Sequence, residues 1–123
     1  MKNLERLKPG DIKHFGYPGL TAIVLGIDEF FYKYNVIDER GTITSIPFDW
    51  EYKIVKLQPK KRELLKKAYK LYFEKERCIA EFKREEYKVL NRELSFVLFE
   101  IEKIFGHTVF DEDYYDDDSV WEN

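Results

Sequence analysis

Pro59-Lys60-Lys61-Arg62 opens, and Ile104-Phe105-Gly106 closes, a run of sequence with no internal glycine or proline. Within it, apolar residues recur three and four apart, from Leu65, Ala68 and Tyr72 through Ile79 and Phe82 to Leu90, Leu94, Val97, Ile101 and Ile104. That spacing keeps one apolar face aligned and predicts helix. Proline at the first position and glycine just past the last are helix punctuation. As a single rod the run would reach about 70 Å at about 1.5 Å per residue, more than a small domain can cover. It must therefore fold back on itself, or protrude and pair with a second copy as a homo-oligomer. A break is expected between Arg84 and Arg92, where Glu85 and Glu86 interrupt the apolar face and Asn91 is a poor helix former. Phe96 to Ile101 is apolar nearly all round, which predicts the most deeply buried helical segment or, from its strand-prone residues, a sixth strand.

The chain of 123 residues is long enough for one domain with its own core, and ten Phe, nine Tyr and two Trp make disorder a poor description of most of it. A lone cysteine, Cys78, cannot close an internal disulfide, and Met1 to Glu5 lacks the apolar core of a signal peptide. With no apolar run of membrane-spanning length, the expectation is a cytoplasmic protein with no membrane association.

Ahead of the long run, residues 1–57 alternate with period two between closely spaced turns, which predicts a small antiparallel sheet or barrel. Lys8-Pro9-Gly10-Asp11 is a turn into a strand from Ile12 to Phe15, and Gly16-Tyr17-Pro18-Gly19 is a second turn. Leu20 to Ile27 is apolar enough to be covered on both faces, whereas Phe31 to Ile37 alternates as a half-exposed strand. Asp38-Glu39-Arg40-Gly41 turns the chain into Thr42 to Phe48, which Pro47 marks as an edge strand or a bulge, and Glu51 to Leu57 is the fifth strand. Five short strands launched by Lys8-Pro9-Gly10-Asp11, with Val24-Leu25-Gly26-Ile27 and the hairpin at Asp38 to Gly41, resemble an SH3-like barrel of the Tudor and KOW kind. The likeness is one of fold and implies a binding module. The fold class expected is therefore α+β: an SH3-like barrel (1–57), a long helix or helical hairpin (58–106) and an acidic, aromatic tail (107–123).

Charge is segregated along the chain. Residues 1–57 carry eight basic and eight acidic groups, residues 58–105 thirteen and nine, and residues 106–123 none and seven. Six of the basic groups, Lys60, Lys61, Arg62, Lys66, Lys67 and Lys70, stand in the first three turns of the expected helix, where the backbone dipole already favours anions. A helix built against that preference concentrates positive potential and marks an anion-binding face, which a solvated lysine-rich surface would also produce. The tail, Asp111, Glu112, Asp113, Tyr114, Tyr115, Asp116, Asp117 and Asp118, has the opposite sign. It can solubilise the chain, clasp its own basic helix, or imitate nucleic acid toward a partner, carboxylates standing for phosphates and rings for bases.

Catalytic signatures are sparse. Neither a glycine-rich phosphate loop nor paired-cysteine metal spacing is present, and the spaced aspartates lack the glycine and closing glutamate of a calcium loop. His14 reads as a strand residue, His107 as a cation beyond a helix end, and Cys78 as core packing. Carboxylates such as Asp11, Asp28 and Asp49 are the remaining candidates for a small enzyme. Tyr17, Phe30, Phe31 and Trp50, near the turns, are candidates for an aromatic platform. No cofactor or metal is expected. The expectation is a non-enzymatic protein that binds, and occludes, a protein that handles nucleic acid. In style it resembles the small anti-restriction and anti-CRISPR inhibitors of phages. Direct nucleic-acid binding through the basic helix start and the barrel aromatics is the alternative.

Overall fold

Both faces of Leu20–Asp28 are covered, and the rest of the domain is built on that strand. The computed structural model describes residues 6–16 and 19–106. In chain order the elements are β1 (Ile12–Phe15), β2 (Leu20–Asp28), β3 (Lys33–Asp38), β4 (Ile43–Pro47), β5 (Tyr52–Lys53), α1 (Pro59–Ala80) and α2 (Arg84–Phe105). The strands form one antiparallel sheet in the order β4-β3-β2-β1-β5. Side chains alternate across a strand, so Ile23, Leu25 and Ile37 face the helices while Ala22, Val24 and Val36 face away. On the helix side they join Leu65, Ala68 and Leu71 of α1 and Leu94, Val97 and Ile101 of α2. On the other side they pack with Leu7, Phe15, Tyr34 and Ile46. The rings of Phe15 and Tyr34 meet there at 6.1 Å although their strands are separated by β2, which is a measure of how far the sheet curls.

The curl stops short of closure, so the expected barrel is an open sheet. Its fifth strand is too short to close it: β5 holds only Tyr52–Lys53 and pairs with β1 through His14↔Lys53 and Phe15↔Tyr52. Beyond Lys53 the chain leaves the sheet, and Leu57 drops into the helix-facing core instead of continuing a strand to that point. The third strand likewise starts later than its alternation implies, because Phe31 and Tyr32 belong to the preceding turn, with Tyr32 at φ 56. Pro47 ends β4, an edge strand, as its missing N–H requires.

Two turns are fixed by their aspartates. At Lys8 to Asp11, Pro9 is followed by Gly10 at φ 94, Asp11 N–H donates to the Lys8 carbonyl at 3.0 Å, and the Asp11 carboxylate accepts from Lys8 N–H at 2.8 Å. That is a type II turn. At the β3–β4 turn, Asp38 is fully buried and accepts four hydrogen bonds, two from the backbone N–H groups of Arg40 and Thr42 and two from the Arg40 guanidinium. Gly41, at φ 74, lies against α2 so closely that a Cβ would stand 2.2 Å from the Leu98 carbonyl oxygen. The hairpin tip is thus the seat of α2.

The long run folds back, and it does so at Glu81 to Lys83, ahead of the interval its composition pointed to. Phe82 takes the left-handed conformation at φ 58. Its N–H donates to the Ile79 carbonyl, and Lys83 N–H reaches back to the Cys78 carbonyl. Those two bonds form a Schellman motif, normally built on glycine. Phe82 therefore leaves the apolar face it was assigned to and is 92% exposed, with Ile79 half-exposed beside it. Glu85 and Glu86 fall in the first turn of α2, where acids suit the dipole, so they begin a helix instead of breaking one. Phe96 to Ile101 is helix throughout and is not buried all round: Val97 and Ile101 enter the core, while Phe96 is 65% and Phe99 52% exposed. With α1 already covering the sheet, α2 has one face left to bury. Among the described residues no helix is long and apolar enough to cross a membrane.

Candidate functional site

Helix α1 places its cations where its packing leaves room. Leu65, Ala68 and Leu71 fill the core face, so Arg62, Lys66 and Lys70, four apart, line the opposite side with Lys67 next to them. Arg62, Glu63, Lys66, Lys67 and Lys70 together border a shallow groove of about 310 Å³. Glu63 is the single acid there, and neither of the ion pairs seen among the described residues, Arg40 with Asp38 and Lys83 with Glu81, involves the groove. Lys66 Nζ donates to the Gly10 carbonyl at 3.3 Å, which leaves its charge uncompensated. The start of the helix adds to the field: no side chain caps Gln58, no acid stands in the first turn, and Lys60 is exposed. Lys61 is the exception. It turns toward α2, with Nζ 4.8 Å from the centre of the Phe105 ring. Five of the six predicted cations therefore lie on the open side of the helix and the sixth marks the junction of its start with the end of α2.

The same face holds residues that the charge pattern alone did not single out. Continuing the spacing from Lys66 and Lys70 brings in Tyr69, Phe73 and Arg77. Phe73 is exposed, with its ring edge-on to Tyr69 at 5.0 Å and to Tyr72 at 5.3 Å. Rings interleaved with cations at helical spacing were legible in the sequence, but the apolar series was traced through Tyr72 and passed over Tyr69 and Phe73.

The proposed aromatic platform comes apart. Phe30 and Phe31 stand together at the β2–β3 turn, their rings edge-on at 4.8 Å, with both N–H groups held by Asp28 Oδ1. Trp50 lies over Gly16 instead, in a separate hollow of about 490 Å³ bordered also by Glu51 and Lys53. It makes no ring contact with Phe30 or Phe31 among the described residues. Tyr17 lies outside the described residues, as do His107 and the whole acidic series from Asp111 to Asp118.

Of the titratable candidates among the described residues, all but Asp49 are engaged in structure. His14 Nδ1 is 3.2 Å from Thr21 Oγ1 on the neighbouring strand. Asp11 and Asp28 each accept turn N–H groups, and Asp49 is exposed on its own turn. Cys78 is buried on α1, and burial, followed by the nearby Glu86, pushes its thiol above the ordinary range, away from the thiolate a nucleophile requires. Among the described residues no three His, Cys, Asp or Glu side chains are gathered as metal ligands would be. Among the described residues, the open basic face of α1 is thus the surface on which most of the predicted site residues converge. Compared with known proteins, the chain matches no family model, no curated protein and no solved structure.

Proposed function

We propose that this is a non-enzymatic binding protein that acts in nucleic-acid handling, and that the open face of α1 is its attachment to nucleic acid. The observation that carries the reading is the grouping of Arg62, Lys66, Lys67 and Lys70 around one groove with Glu63 as the only counter-charge. Cations so placed release counterions from a phosphate backbone, and Phe73 offers a ring on which an unstacked base can lie. The small, strongly curled sheet supports the likeness to SH3-like binding modules and serves as the rigid mount for that face. The test uses the intact chain and a fluorescent single-stranded oligonucleotide at low salt. Binding should fall steeply as salt rises and should weaken more than about tenfold in Lys66→Ala/Lys67→Ala/Lys70→Ala, whose circular dichroism stays native. The reading fails if no binding is seen either in the intact chain or in one with its six carboxylates from Asp111 to Asp118 neutralised.

A second reading is favoured by the seven acidic and no basic groups of residues 106–123. In it the protein occupies the nucleic-acid groove of a partner, as the small phage inhibitors it resembles in style do. Capture of a basic protein that is lost when Asp111 to Asp118 are neutralised separates it from direct binding.

A further inference from the structure

We infer that the outer face of α2 is a dimer interface, on which a second copy of this chain lies antiparallel to the first. The face is a single line of side chains. At about 3.6 residues per turn, Glu85, Val89, Arg92, Phe96, Phe99 and Lys103 fall within about 40° of one direction, on the side of the helix away from Leu94, Val97 and Ile101. All six are exposed, and Val89, Phe96 and Phe99 are each more than half exposed. Steps of four and three along a helix make the seam of a coiled coil, which a second helix must cover. Helix α1 is not that helix, because it joins α2 through the core, where Leu65, Ala68 and Leu71 meet Leu94, Val97 and Ile101.

The occupant follows from the order of the six. Glu85 and Lys103 stand nine residues either side of Leu94, Val89 and Phe99 five, and Arg92 and Phe96 two. A two-fold axis at the level of Leu94 therefore sets Glu85 of one copy on Lys103 of the other, Val89 on Phe99 and Arg92 on Phe96, each pair occurring twice. Those layers are an ion pair, an apolar pair and a cation over an aromatic ring. A parallel pair would instead set Glu85 on Glu85, Arg92 on Arg92 and Lys103 on Lys103, three repulsions in one seam. Neither Glu85 nor Lys103 belongs to an ion pair among the described residues, and Lys103 Nζ lies along the line, 5.3 Å from the centre of the Phe99 ring. One border of the seam opposes the pairing: Glu86, Glu93 and Glu100 meet acids of the other copy, a repulsion between exposed charges that salt screens. The seam is about 27 Å long and one helix, about 10 Å, wide, less than the roughly 800 Å² per partner of a stable interface. The dimer is accordingly a weak one, with a dissociation constant of about 0.1 mM. The basic groove of α1 lies outside the seam, so the inference stands whether or not that groove binds nucleic acid.

The experiment is sedimentation equilibrium of the full chain from about 10 μM to about 1 mM, at about 0.15 M salt and without nucleic acid. A reversible monomer–dimer equilibrium is expected. Phe96→Glu, at an exposed position, should raise the dissociation constant more than about tenfold while circular dichroism stays native. Glu85→Lys and Lys103→Glu should each raise it about tenfold, because either reversal turns both ion pairs of the dimer into repulsions. The two reversals together restore the pairs with their signs exchanged, and the dissociation constant should return to within about threefold of the original. A chain that stays monomeric at every concentration overturns the inference. So does a dimer that Phe96→Glu leaves intact, which would place the contact on another surface. Single reversals without loss, or a double reversal without recovery, overturn the antiparallel register.

Discussion

Helices α1 and α2 have 22 residues each and pack on the same sheet, yet they obey different local rules. Helix α2 has Glu85 and Glu86 in its first turn, Lys103 in its last and glycine at its left-handed cap, all as the dipole and the backbone prefer. Helix α1 starts on Lys60, Lys61 and Arg62 with no acid and no side-chain cap, and ends on Phe82 where glycine belongs. It forms nonetheless, because Leu65, Ala68, Leu71 and Cys78 are buried along its length, and each buried leucine alone contributes about 1.5–3 kcal/mol against about 0.3–1 kcal/mol lost per misplaced charge. Tertiary packing holds α1 in place, and its ends are free to depart from local stability. The departures sit where the core does not hold the chain.

The comparison can be broken most severely at the seat of α2. Gly41→Ala forces a Cβ into the Leu98 backbone at a positive φ, and should lower unfolding free energy by about 3 kcal/mol in urea titration. Gly26→Ala, where a Cβ meets nothing within 4 Å, should change it by no more than about 1 kcal/mol. Equal costs at the two glycines would show that the β3–β4 turn does not carry α2. Next in size, Phe82→Gly gives α1 the ending that α2 already has. It should raise stability by about 1 kcal/mol through relief of left-handed strain, and a lower urea midpoint would mean instead that the Phe82 ring packs on the turn. The smallest effect is expected from Lys60→Glu, which corrects the charge at the start of α1. A gain of about 0.5 kcal/mol in stability should accompany weaker binding to the single strand. Stability and binding moving together would disconnect the reversed dipole from recognition.

Much of this architecture was legible because side-chain period and turn chemistry are local. The paired turns at Lys8 to Asp11 and Asp38 to Gly41, the doubly covered β2 and the folded-back helices all follow from spacing. Strand length was less accessible: residues 54–57 alternate well enough for a strand, but Leu57 is drawn into the helix core, and the barrel stays open for want of those residues. The fold-back was misplaced because Phe82 has no propensity for the left-handed cap, and the backbone bonds to Cys78 and Ile79 impose it there. At the basic face the lysines were evident from charge alone. Phe73 was not, since an aromatic at helical spacing looks the same whether it faces the core or the solvent.

The open sheet ends on two unlike margins. One is β5, two residues long; the other is β4, which closes on Pro47. A neighbouring chain that tried to extend the sheet would find too short a row of backbone partners on the first side and an interrupted row on the second. An unclosed sheet of this kind should consequently resist fibrillar growth at high concentration, and any self-association should be sought on its helices.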